Sequence, residues 1–190
     1  FIYLGKSDLP YALAGTLKKI FDYEYWSGLD AKSDSFPLFP PAEYLKAARK
    51  SYRINFLSLS IHDITDELFE AVKNDKFCVI ILNTENTHRM AEERRVFIGL
   101  RKNGIDTPVI IKMKYSSLDD EDLTIHSASD IGPLFLDGMG DGVWIESENN
   151  SLEIINRVSF GILQATRPRI SKTEYISCPS CGRTQFDLQV

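Results

Sequence analysis

Two stretches, FCVIILN at 77–83 and TPVIIKMKY at 107–115, limit what this chain can become. The first is a continuous apolar run rich in β-branched residues. Such a run, without polar alternation, marks a strand buried on both faces, as in a covered parallel sheet. The segments around these two runs carry helical or alternating patterns. PAEYLKAARKSY reads as a helix with Pro41 in its first turn, where the missing N–H costs nothing. NFLSLSI (55–61) alternates Phe56, Ser58 and Ser60 with Leu57, Leu59 and Ile61, the period of a strand. DITDELFEAVKND follows as a short helix that Asp63 or Thr65 can cap. THRMAEERRVFIGLRKNG is a longer helix, with Met90, Phe97 and Leu100 on one face and Gly104 where a left-handed cap belongs.

The second half continues the alternation. SLDDEDLTIHSASDIG reads as a helix whose acidic first turn suits the positive end of the helix dipole. PLFLDG and DGVWIE read as two short strands separated by a tight turn, DGMGDG. SLEIINRVSFGILQATR is a helix with Leu152, Ile155, Ser159, Ile162 and Ala165 along one stripe, and TEYIS is a last short strand. The pattern predicts an α/β fold with a parallel sheet covered by helices on both sides. A closed barrel of eight units needs about 250 residues. Five or six strands are visible here, so the expectation is a partial or irregular (β/α) barrel-like parallel sheet, or an open doubly wound one.

The first forty residues read as irregular, punctuated by Pro10, Gly15, Gly28, Pro37 and Pro40. YALAGTLKKIF is a weak helix candidate because Gly15 interrupts it. Tyr23, Tyr25 and Trp26 have two readings: aromatics stapling a loop to the core, or an exposed contact face.

At 190 residues the chain can bury one good core, with room for an appendage. Its 43% hydrophobic and 26% charged residues are ordinary for a soluble globular protein. A net charge of −5 argues against a nucleic-acid binder with a broad basic surface. No apolar run reaches the ~18 residues of a membrane span. The start, FIYLGKSDLP, has neither the charged nor the apolar region of a signal peptide. Three cysteines are no disulfide framework and point to a reducing, cytoplasmic setting. The missing initiator Met and the abrupt end read as a piece of a longer chain.

The chemistry concentrates in EYISCPSCGRTQFDLQV, where Cys178 and Cys181 form a C-x-x-C. Two thiolates from one turn can bind one metal, so this is half a zinc site, part of an iron–sulfur cluster, or a redox dithiol. Cys78, between Phe77 and Val79, reads as a small core hydrophobe. His62 and His88 each follow a strand and could lie at the carboxyl edge of the sheet, where α/β folds bind ligands. Asp63, Asn83, Glu85, Lys112, Lys114 and Asp137 could join them in a second pocket, with His126 more distant. No catalytic spacing links these residues, and solvated loop starts account for them as well. DGMGDG lacks the Lys-Ser/Thr of a phosphate loop, and its two Asp would repel phosphate.

The second half carries Gly140-Asp141-Gly142, Ile162-Leu163-Gln164, Arg167 and then ISCPSCGRT, in that order. With these residues it resembles the (E)-4-hydroxy-3-methylbut-2-enyl diphosphate synthases. It covers 107–190 well and 1–106 more weakly, and the GRTQFDLQ ending looks like the longer plant, chlamydial and Bacteroidetes-type members. Those members have a catalytic TIM barrel, an inserted barrel-like domain and a C-terminal 4Fe–4S domain.

The resemblance implies that 1–172 is the inserted domain with its connector helix, and 173–190 the truncated start of the iron–sulfur domain. It also implies that Cys178 and Cys181 are two cluster ligands, the third Cys, a Glu and all catalytic residues lying outside this stretch. The enzyme opens the ring of 2-C-methyl-D-erythritol 2,4-cyclodiphosphate and removes a hydroxyl, with two electrons from ferredoxin or flavodoxin. The implied partners are that substrate, the electron carrier and the catalytic barrel of the same chain. The implied compartment is the cytoplasm, or the plastid stroma in a plant. A different class of reading keeps an autonomous α/β binding module with a terminal zinc knuckle. A third makes 1–172 a small enzyme using His62, His88 and Lys112.

Overall fold

A computed structural model describes residues 1–30 and 34–173. It holds one seven-stranded sheet in which every neighbouring pair is parallel and the spatial order is the chain order. The strands are β1 (Ile2–Gly5), β2 (Lys19–Asp22), β3 (Ser35–Phe39), β4 (Asn55–Leu59), β5 (Cys78–Asn83), β6 (Val109–Tyr115) and β7 (Gly142–Ser147). The helices are α1 (Tyr23–Ser27), α2 (Pro41–Lys46), α3 (Asp66–Lys73), α4 (Arg89–Lys102), α5 (Asp120–Leu136) and α6 (Leu152–Ala165).

The sheet is strongly curled. Six steps of ~4.8 Å would hold the outer strands of a flat sheet about 29 Å apart. Instead the Tyr3 ring on β1 lies 5.2 Å from the Trp144 ring on β7. The fold is therefore a half-barrel, as the alternation predicts. Its helices cover one face, not both. The larger core joins Leu57, Leu59, Ile80, Leu82, Ile111 and Met113 of the sheet to Leu68, Val96, Leu100, Leu123, Ile131 and Leu134 of the helices. The other face packs on itself through Ile20, Phe36, Phe56 and Ile81, with no helical residue among them. The 77–83 and 107–115 runs are apolar on both sides because the curl closes the inner face that helices would otherwise cover.

Helix ends follow local chemistry. Thr65 caps α3, accepting from the Leu68 amide at 3.2 Å, while Asp63 belongs to a preceding 3₁₀ turn and accepts from the Ser60 amide at 2.8 Å. Asp119 and Ser151 cap α5 and α6. Gly104 ends α4 at φ +66°, with the Ile105 amide donating to the Leu100 carbonyl. That is the six-to-one bond of a left-handed cap.

Several expectations are corrected. The first forty residues hold three strands and a short helix; 19–21, expected inside a weak helix, belong to β2. These strands are four or five residues long and one contains Pro37, which is tolerated because pairing with β4 begins only at Leu38. The helix from Pro41 stops at Lys46 rather than Tyr52. PLFLDG is not a strand: α5 continues through Pro133 to Leu136. Burial of Ile131, Leu134 and Phe135 at helical spacing outweighs the lost hydrogen bond. DGMGDG therefore joins a helix to a strand, with Gly138 at φ +68° and the Met139 amide bonded to the Leu134 carbonyl.

The aromatics of 21–26 are staples, and the contact-face reading falls. Trp26 is 2% exposed and donates its Nε1 to the Ser35 carbonyl at 3.2 Å. Tyr23 stacks on Phe39 at 4.4 Å, and Tyr25 packs on Phe21 at 5.1 Å. No helix among the described residues is long and apolar enough to cross a membrane.

Candidate functional site

The carboxyl mouth of the half-barrel is where a fold of this kind presents ligand groups. Its polar residues are inward-facing positions near the carboxyl ends of their strands, set two residues beyond the apolar ones. Asp22 follows Ile20, Ser58 follows Phe56, Asn83 follows Ile81, and Lys112 follows Ile110. These groups are tied to one another. The Tyr3 hydroxyl donates to Asp22 at 2.7 Å, and burial, then the Asp22 carboxylate, push its phenol up to about 12. The Asn83 amide donates to the Ser58 hydroxyl at 3.0 Å. Lys112 pairs with Glu146 at 3.0 Å and lies 4.5 Å over the Trp144 ring.

Beside them a cleft of about 310 Å³ opens at the ends of β2, β3 and β4, lined by Lys6, Asp22, Tyr23, Leu38, Glu43 and Ser58 among others. Its chemistry is unfavourable to an anion. Lys6 is taken by Glu24 at 2.7 Å, Lys112 by Glu146, and Lys114 by Glu148 at 3.2 Å. A diphosphate here would meet Asp22, Glu24 and Glu43 with each of these lysines already paired.

The residues considered for a second pocket only partly converge. His62 and His88 do sit at the carboxyl edge, in the 3₁₀ turn after β4 and at the start of α4. Both are exposed. Asp63 is spent on the Ser60 cap, and Glu85 is exposed on the loop after β5. His126 lies exposed on α5. Asp137 is at the opposite edge, where α5 ends, paired with Arg94. No group of three His, Cys, Asp or Glu among the described residues could hold a metal ion.

Cys78 is a core residue, 2% exposed, and burial pushes its thiol up to about 12. Cys178 and Cys181 lie outside the described residues, as does the expected strand TEYIS except for its first residue, Thr173. Sequence reasoning named Asp141 but missed what it does. Its carboxylate accepts from the Val109 amide at 2.8 Å and its own amide donates to the Val109 carbonyl at 2.7 Å. The Asp of the Gly-Asp-Gly motif thus joins the starts of β6 and β7, which explains its place in a turn where it would repel phosphate.

No family model matches the chain and no solved structure matches it. Curated proteins do. The chain is 39% identical over 189 residues to the 4-hydroxy-3-methylbut-2-en-1-yl diphosphate synthase (flavodoxin) of Parabacteroides distasonis, a match spanning 100% of this chain and 30% of the relative. Identity to the enzyme of the same name from Bacteroides thetaiotaomicron is 35% over 190 residues, again 30% of the relative. Against the chloroplastic ferredoxin-type synthase of Oryza sativa it is 45% over 106 residues, 55% of this chain and 14% of the relative. The first two alignments run through the apolar strands and the cysteine tail alike, and on that ground the chain belongs to the 4-hydroxy-3-methylbut-2-en-1-yl diphosphate synthase family, spanning about 30% of the length of those two relatives.

Proposed function

We propose that this chain is the inserted half-barrel, and the beginning of the iron–sulfur part, of a long-form synthase of the non-mevalonate isoprenoid pathway. The observation that carries the reading is the alignment of all 190 residues, C-x-x-C included, with a named synthase. The parent acts as an oxidoreductase on 2-C-methyl-D-erythritol 2,4-cyclodiphosphate and takes its electrons from flavodoxin or ferredoxin, the carriers in its relatives' names. It works in the cytoplasm, or in the plastid stroma if the source is a plant.

Residues 1–172 are a brace rather than a catalyst. The acidic mouth, with its paired lysines, supports this, because a cyclodiphosphate needs open cationic or amide donors. Cys178 and Cys181 supply two thiolates to a 4Fe–4S cluster, whose remaining ligands come from elsewhere in the parent. Among the described residues Cys78 is shut inside the sheet core and no group of three His, Cys, Asp or Glu could hold a metal ion. When bound, the cluster supplies single electrons to the substrate.

The test is anaerobic preparation of the full-length parent with iron analysis and visible absorption. The expected result is a brown protein with about four irons per chain, and loss of iron and of reductase activity on Cys178→Ser. Zinc without iron would refute the reading and favour a zinc knuckle.

A further inference from the structure

All seven strands are parallel, so α2 to α6 start at the carboxyl edge and end at the amino edge. Their first turns carry Glu43, Asp66, Glu67, Glu92, Asp120, Glu121, Asp122 and Glu153. Their last turns carry Lys46, Lys73, Arg101 and Lys102. Each complements its own helix dipole. Summed over parallel units, they bias the carboxyl rim acidic and, through α2 to α4, the amino rim basic; α5 and α6 add no basic last turn, and Asp75, Asp106 and Asp137 also stand at the amino edge.

Helix ends do not account for the whole basic rim. Arg49, Arg53 and Lys76 belong to the loops entering β4 and β5, outside any helix. All three are exposed, and none lies within ion-pair distance of a described carboxylate. The loops that carry them are held in place. Buried Asn55 accepts from the Ser51 amide at 2.8 Å and donates to the Ser51 carbonyl at 3.0 Å and to Asp75 at 3.3 Å. Asp75 also takes the Tyr44 hydroxyl at 2.8 Å. Between the cations stand Tyr52, 90% exposed, and Phe77, 45% exposed. Arginine and aromatic side chains on a fixed scaffold are the composition of a protein-binding surface.

The chain path adds a second argument. α6 ends at this same rim, and Gln164 holds the following segment there through the Ser171 and Lys172 amides at 3.2 and 2.9 Å. Cys178 is five Cα steps beyond Thr173, a reach of at most about 18 Å. A protein seated on the amino rim faces the same edge from which the chain continues, in sequence, to Cys178.

We propose that the basic amino rim, centred on Arg49, Arg53 and Lys76, is the docking surface for the electron carrier, a small protein with an acidic face. The proposal rests on the reductase reading above. Complementary charge steers encounter and sets register, so the rim governs the carrier's association and its salt dependence. Each docking oxidises the carrier by one electron and reduces the cluster by one.

The experiment uses the full-length, iron-loaded parent. Binding of the oxidised carrier is measured by surface plasmon resonance or calorimetry across a salt series, for the wild type and for Arg49→Glu/Arg53→Glu/Lys76→Glu. The expected result is a loss of affinity of at least ~10-fold and a flatter salt dependence. The Gln triple, which keeps side-chain length, should lose less in the same direction, and it carries the test if the Glu triple does not fold. Affinity within two-fold of wild type, at unchanged salt dependence, would overturn the proposal. So would retained carrier affinity alongside loss of binding to a single-stranded oligonucleotide. Turnover of the cyclodiphosphate with dithionite-reduced methyl viologen tests the reductase reading separately, because the viologen needs no protein dock.

Discussion

Glu93 offers the sharpest quantitative test. It sits on α4, 1% exposed, and neither of its carboxylate oxygens has a hydrogen-bond partner. The neighbouring Arg89 pairs with Asp130 at 3.3 Å, and Asp130 also accepts the Tyr115 hydroxyl at 3.0 Å. Burial, with Asp130 and Glu92 adding to it, pushes the Glu93 carboxyl up to about 9. The folded state therefore keeps this proton at neutral pH while the unfolded chain gives it up near the ordinary value of 4.5. The folded state then binds more protons than the unfolded, and stability falls as pH rises between those two values.

Each pH unit in that window costs about 1.4 kcal/mol. At pH 7 the cost is roughly 3 kcal/mol, a sizeable part of the 5–15 kcal/mol typical of a domain. Glu93→Gln keeps the shape and removes the titration. It should match the wild type near pH 4.5 and exceed it by ~3 kcal/mol at pH 7, the gap widening until pH 9. Urea unfolding of both proteins at four or five pH values measures this directly. A difference between them that stays constant from pH 5 to 9 would refute the argument that this carboxyl is buried and protonated.

Three further outcomes follow from named contacts. Gly140→Ala places a side chain at φ +98° with its Cβ 2.9 Å from Ile111 Cδ1, and should cost about 2–3 kcal/mol in urea unfolding. Asp75→Ala strands the Tyr44 hydroxyl and one Asn55 donor bond near the amino rim, for a loss of ~2–4 kcal/mol and faster amide exchange at 51–55. Cys178→Ser with Cys181→Ser should leave the melting temperature of this 190-residue chain within about 2 °C, since the main core is built from residues between Phe39 and Ile162. A large loss would show that the tail is structural.

The local pattern alone determined the parallel α/β class, the strands around Ile80 and Ile111, the Gly104 stop, the core position of Cys78 and the likeness carried by the tail. Those rest on period, turn chemistry and short-range sterics, which act within a few residues. The tertiary structure decided what depends on distant partners. Three short strands before Pro41 exist because each has a parallel neighbour to complete its hydrogen bonds, and four apolar residues cannot signal that by themselves. α5 runs through Pro133 because the sheet beneath rewards burial of Ile131, Leu134 and Phe135. Curl brings Tyr3 to Trp144 across 141 positions of chain, closing an inner face that the sequence could only present as apolar. The same parallel arrangement gathers single helix-end charges into two opposed rims, because one direction of winding places every helix end of one sign on one side.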